Sequence, residues 1–243
     1  MANSKKNLLL GITFCCISLV GCNSTKPTSI MALTDANSDA NAAFQLIQVS
    51  NLKAARSKID QGIAADPTAP APWYVLGYLE EVSGDEAKAD TAFRKAIALA
   101  PESGPAHNNY GSFLCHQGRI TAALKEFDLA VQKPRYYDLE SAYENAGVCA
   151  LEDGKIDQAK HYFLAAIDQN PYNERSLFEL TLLSYDEKNY AKSRDYLNDY
   201  FQVIKQTQQP VNPLAQKIDA YLKASTHPEL MKFLPLPTDQ HSV

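Results

Sequence analysis

The stretch HNNYGSFLCHQGRI, residues 107–120, sets the thiol of Cys115 directly beside the imidazole of His116. Those are the parts of a thiolate nucleophile with its base. With Cys149 and His161 they are also the donor types of a zinc site. Spacing argues against both. Adjacent residues of a helix point about 100° apart and do not face each other. A reactive thiolate needs an electropositive setting, and no basic residue shares the face of Cys115. Among Cys115, His116, Cys149 and His161, no pair falls three or four residues apart, the spacing that would put two zinc ligands on one helix face. No catalytic residue, no metal ligand and no cofactor is expected, and the chain reads as not an enzyme.

The elements that position these residues recur. Residues 71–101, 105–131 and 141–171 align on one glycine, at Gly77, Gly111 and Gly147. Four residues before it stands Trp73, His107 or Tyr143. A second glycine follows seven later, at Gly84, Gly118 and Gly154. Then come Ala89, Ala123 and Ala159; Phe93, Phe127 and Phe163; and Ala96, Ala130 and Ala166. The step from Gly77 to Gly111 is 34 residues and from Gly111 to Gly147 is 36, the two extra falling in KPRYYDLE, 133–140.

Such recurrence marks stacked helical hairpins. Small residues at Gly77, Ala89 and Ala96 let the A and B helices of one unit approach closely, while Trp73, Leu76 and Phe93 fill the space between units. The second glycine ends helix A, and Pro101 and Pro171 close helix B. Frequent alanine and the lack of long apolar–polar alternation also favour an all-α chain.

The N-terminus is a different object. Lys5 and Lys6 precede an apolar run from Leu8 to Val20, thirteen residues where a membrane span needs about 20. That pattern suits a secretory leader. It ends Leu19-Val20-Gly21-Cys22, which resembles a bacterial lipobox, with residues 1–21 as the leader and Cys22 as the lipidated residue. In that class Asn23, not being Asp, implies sorting to the outer membrane. Several acyl chains would make a stable anchor, each buried CH₂ adding about 0.8 kcal/mol.

The whole chain carries 23 basic and 28 acidic side chains, net −5, and loss of the leader removes two lysines and no acid. That balance argues against a nucleic-acid partner, which would want a basic face, and against docking on anionic headgroups. Cys115 and Cys149 remain as the two thiols of an oxidising compartment.

The phased positions resemble the tetratricopeptide (TPR) repeat. The resemblance implies a right-handed superhelical solenoid with units at 36–69, 70–103, 104–139, 140–173 and 174–207. A lipidated tether over 22–35 would precede it, and 208–243 would hold a degenerate repeat or capping helix and a tail. A lipobox followed by about five such units, together with NNYGSFLCHQG (108–118), AYENAGVCAL (142–151) and the enlarged turn KPRYYDLE, resembles the PilF/PilW family of type IV pilus biogenesis lipoproteins.

That second resemblance implies a pilotin on the periplasmic face of the outer membrane. It would bind the pilus secretin subunit and promote its localisation and multimerisation, with no small-molecule substrate. The alternative is another envelope TPR scaffold, serving peptidoglycan enzymes or outer-membrane protein assembly. In a TPR array helix A lines the concave surface. Here that gives Phe44 and Ile47; Tyr74, Tyr78, Glu81 and Val82; Asn108, Ser112 and His116; and Glu144, Val148 and Leu151. An opening of Phe44, Ile47, Tyr74 and Tyr78 suits an amphipathic or extended peptide. The competing reading is that some of these aromatics pack between neighbouring A helices.

Cys115 and Cys149 lie late on the A helices of successive units. Packed helices have axes about 8–10 Å apart, close enough for the Cα separation of about 4.4–6.8 Å that a disulfide needs. The pair is either a disulfide or two reduced, buried small hydrophobes.

Overall fold

The computed structural model describes residues 29–133 and 136–224. Among them lie eleven α-helices: α1 (Ser29–Gln48), α2 (Leu52–Ala65), α3 (Pro70–Val82), α4 (Glu86–Leu99), α5 (Gly104–His116), α6 (Ile120–Val131), α7 (Leu139–Glu152), α8 (Ile156–Gln169), α9 (Glu174–Asp186), α10 (Tyr190–Thr207) and α11 (Pro213–Ala224). The first ten pack as five A/B hairpins. Each A helix also packs on the next A helix, from α1 to α9. Successive B helices fan apart by comparison, so the stack curves and the A helices line its inner side.

Each hairpin closes in the same way. After α3, the N–H of Gly84 donates to the Glu81 carbonyl (2.9 Å) and that of Asp85 to the Glu80 carbonyl (2.9 Å). This is a Schellman cap, which requires a left-handed residue at its corner. Gly84, Gly118 and Gly154 supply it, with φ between 68° and 81°. Ser50 and Lys188 take the equivalent corners of the first and fifth units, at φ 58° and 59°. The turn geometry therefore persists where the glycine does not.

Close approach of A and B rests on a ring over a glycine. A Cβ at Gly77 would lie 2.8 Å from Phe93, and one at Gly111 2.8 Å from Phe127. Phe93 also meets Phe113 of the next unit, with ring centroids 5.2 Å apart, so these phenylalanines fill space within units as well as between them. Where the glycine gives way to Ala43 or Thr181, the partner shrinks to Ile59 or Leu197. All four are buried. Total volume is conserved by trading backbone room for ring size.

Trp73 and His107 share a second recurrent device. The indole Nε1–H of Trp73 donates to the Pro67 carbonyl (3.1 Å), and His107 Nε2 lies 3.0 Å from the Pro101 carbonyl. The enlarged turn after α6 inserts Tyr136. Its buried ring lies on Gly104, where a Cβ would collide with it, and packs between Ala130 and Ala142.

One boundary differs from expectation. Helix α1 starts at Ser29, so the second half of the expected tether is helical. The run SIMALTDANSDANAAF holds no Pro or Gly after Pro27, and Ala36, Ala40 and Ala43 bury one face at helical spacing. At the other end α11 packs Ala215, Ile218 and Leu222 against Leu177, Leu197, Val203 and Ile204. It covers the apolar side that the last hairpin would otherwise expose. The leader, Cys22 and the tail from 225 lie outside the described residues.

Candidate functional site

The inner face is built from the A helices α1, α3, α5, α7 and α9. Phe44 and Val82 are exposed there, at 37% and 48% of their surface. Tyr74, Tyr78, Glu81, Asn108, Ser112, Glu144, Val148 and Leu151 are half-buried along the same helices, and His116 is exposed.

Ile47 is a correction. It is only 4% exposed and packs in the first core cluster with Ile59, Val75 and Leu79. Its neighbour Gln48 faces the groove instead, donating from Nε2 to the Tyr78 hydroxyl (3.3 Å). One residue along a helix turns a side chain by about 100°, enough to exchange core for groove.

Contacts between successive A helices tie the face together. The rings of Phe44 and Tyr78 lie 5.6 Å apart, joining α1 to α3. Glu81 Oε1 is 2.8 Å from His116 Nδ1, joining α3 to α5. Asn145 Nδ2 donates to Asn108 Oδ1 (3.2 Å), joining α5 to α7. Asn173 Nδ2, at the start of α9, donates to Glu144 Oε2 (2.9 Å). Gln48, Asn145 and Asn173 were absent from the sequence-derived groove, since each contact depends on how far one hairpin rotates on the next.

Cys115 and Cys149 are joined as a disulfide between α5 and α7, with Cα atoms 5.8 Å apart. Cys115 thus faces away from His116, whose ring reaches across to Glu81. Among the described residues no group of three or more His, Cys, Asp or Glu is placed to hold a metal ion.

The hydrogen bond from His116 to the Glu81 carboxylate raises the pKa of His116 above its ordinary 6.5, against the opposing effect of partial burial. On the B side, Tyr110 donates to Asp90 (2.8 Å) and is pushed up to about 12 by burial and by that bond. Burial alone would raise Asp90. Hydrogen bonds from Arg94, Tyr110 and Arg119 outweigh it and hold the carboxyl below its ordinary 3.8. These clusters fasten α4 to α5 and to the turn before α6.

A cavity of about 790 Å³ opens between α7 and α9. Val148, Leu151, Ile156 and Leu183 form its apolar lining, with Glu152, Arg175, Glu179, Asp186 and Glu187 around it. The groove read from the sequence included only Val148 and Leu151 of these. The groove read from the sequence stops at the fourth unit, although the fifth, at 174–207, carries the same phase. A usable signal did exist. Gln48, Val82, His116, Glu152 and Asp186 occupy one equivalent place in the five units, and every one is exposed.

Stacked A/B hairpins with a lined inner face define a repeat-built binding scaffold, and the comparisons agree. The tetratricopeptide repeat family model matches residues 46–103, 83–137 and 145–204, more than half the chain. The chain belongs to the tetratricopeptide repeat family. It is similar to the type IV pilus assembly protein PilF of Pseudomonas aeruginosa, 26% identical over 191 residues, covering 76% of each chain. An uncharacterized protein of Haemophilus influenzae is 28% identical over 136 residues, 56% of this chain and 76% of that one. Among solved structures, that of P. aeruginosa PilF superposes with a TM-score of 0.69 at 22% identity, over 87% of this chain and 96% of that one. The structure of PilW, described as a widely conserved type IV pilus biogenesis factor, superposes with a TM-score of 0.66 at 20% identity, over 85% and 96%.

Proposed function

We propose that this protein is a non-enzymatic adaptor of type IV pilus biogenesis, a pilotin anchored by lipid at Cys22 to the periplasmic face of the outer membrane. Its inner face would hold a segment of the pilus secretin subunit while the anchor delivers the pair to the membrane. The observation that carries the reading is the similarity to PilF, which extends over three quarters of both chains. The site adds a physical reason. Phe44, Tyr78 and Val82 open the inner face with apolar surface, and contacts between successive A helices brace it. A braced groove loses little entropy on binding, which is how repeat scaffolds hold extended or helical peptides.

The test is deletion of the gene followed by examination of secretin multimers on gels that preserve heat-resistant complexes. Loss of multimers and of surface pili is expected, with both restored by the intact gene. Normal multimers and normal pili would exclude the pilotin role and leave a general envelope scaffold. Cys22→Ala should move the protein from the outer membrane to the soluble periplasmic fraction; unchanged fractionation would remove the anchor from the proposal.

A further inference from the structure

The charged rim of the α7/α9 cavity is already engaged within the protein. Arg175 lies 4.0 Å from Glu179, Lys160 Nζ is 2.8 Å from Glu187 Oε1, and Asp186 is engaged as well. His116 lies near both Glu81 and Glu152, and each favours its charged form. Selection by this cavity therefore falls to its apolar lining: Val148 and Leu151 from α7, Ile156 from the start of α8 and Leu183 from α9. Ile156 is 39% exposed there. The volume of about 790 Å³ falls within the range of about 300–1,000 Å³ typical of ligand sites, room for several apolar side chains.

The chain itself supplies such side chains, and it supplies them close by. Helix α11 ends at Ala224, and 19 residues follow. In that remainder the run ELMKFLPL, 229–236, holds Leu230, Met231, Phe233, Leu234 and Leu236. Segments that stay in solvent are poor in large apolar residues, so this run calls for a surface to cover it. Pro228 and Pro235 keep it from continuing α11 as a helix. The end of α11 lies beside the end of α9 that lines the cavity. The Tyr221 ring is 5.4 Å from that of Tyr185, the residue between cavity-lining Leu183 and Asp186 on one side and α10 on the other, and Arg194 of α10 donates to the Leu222 carbonyl (2.9 Å). Leu230 stands six residues beyond Ala224, a reach of about 20 Å when extended. Packed helices lie about 8–10 Å apart, so the run can cross α9 and lie over the α7 side of the cavity.

We propose that residues 229–236 of this chain dock in the α7/α9 cavity, with the side chains of Leu230, Met231 and Phe233 over Leu151, Ile156 and Leu183. Tethering through α11 gives the segment an effective concentration on the order of millimolar, so modest apolar contacts suffice to hold it. The docking does not depend on any partner. A consequence for the partner rests on the inner-face reading above: the tail occupies the α7/α9 end of that face and leaves the stretch from Phe44 to Asn108 for a bound segment. A ligand that needs the whole face must first displace the tail.

The experiment uses the full chain in mild detergent, with a photo-reactive phenylalanine analogue in place of Phe233. The dilute protein is illuminated and the crosslinked residues are mapped by mass spectrometry. Crosslinks within one chain are expected at Val148, Leu151, Ile156 or Leu183. Leu230→Ser with Met231→Ser, in the same photo-reactive chain, should lower their yield at least fivefold while circular dichroism shows the helices intact. Crosslinks elsewhere on the chain, no crosslink at all, or a yield that the two serines leave unchanged would overturn the assignment. A covalent dimer as the main product would show the tail docking on a second copy and overturn the intrachain form. The secretin-multimer test above reads the partner role separately, so normal multimers with crosslinks at the cavity would remove the pilotin reading and leave the docked tail.

Discussion

Phe127 lies flat over the backbone of Gly111, so close that a Cβ there would sit 2.8 Å from Cε1 of the ring. The contact holds α5 against α6 and recurs as Phe93 on Gly77 and Phe163 on Gly147.

Gly111→Ala should therefore destabilise the fold by about 1–3 kcal/mol through overpacking, despite the better helix propensity of alanine. Adding Phe127→Leu should recover part of the loss, because the fifth unit already pairs Thr181 with Leu197. Chemical denaturation of the single and double variants measures this. A double variant less stable than the sum of the two single changes would contradict the compensation.

Lys188 holds the left-handed corner between α9 and α10 at φ 59°, where three other units use glycine. An L side chain in that conformation costs of the order of 1 kcal/mol. Lys188→Gly should raise stability by roughly that amount, seen as an increase in Tm of about 2–4 °C for a chain of this size. Gly118→Ala should lower it comparably.

The Cys115–Cys149 bridge closes a loop of 34 residues between successive A helices. On the chain-entropy model such a loop stabilises the fold by about 3–4 kcal/mol. Protein purified without reductant and alkylated after denaturation should show both cysteines unmodified, and both should become labelled once reductant is added. Cys115→Ala with Cys149→Ala should lower the denaturation midpoint. Equal labelling with and without reductant would show that the thiols are free.

The Glu81–His116 pair gives a pH dependence with a definite sign. The folded pKa of His116 lies above 6.5 because the Glu81 hydrogen bond favours the imidazolium. The pair's stabilisation is complete below the unfolded value and is lost as pH rises through the folded one. His116 is 63% exposed, so screening limits the effect to about 0.5 kcal/mol. NMR titration of the ring should show a midpoint above 6.5 that Glu81→Gln brings down. Asp90 works in the opposite direction. Its depressed pKa adds stability above about pH 3.8, lost as the carboxyl protonates at lower pH.

Much of this architecture was legible in the residues. Glycine, alanine and phenylalanine recurring in phase define the hairpins, because each repeats one local packing problem with one local solution. The period also placed Cys115 and Cys149 on neighbouring A helices. Units without the marker glycines were harder to read, since Ser50, Lys188, Ala43 and Thr181 perform the same geometric tasks with different side chains.

By itself the sequence determined which segments of the three central units are helices, where their hairpins turn and which positions pack A against B, because those follow from spacing along one chain. Only the tertiary structure decided that Ile47 belongs to the core while Gln48 faces the groove. It alone matched Glu81 with His116 and Asn108 with Asn145, and opened a cavity between α7 and α9. These depend on the rotation and rise from one hairpin to the next. That step is set by the summed packing of rings such as Phe93 and Phe113 across the joint between hairpins, and no single repeat encodes it.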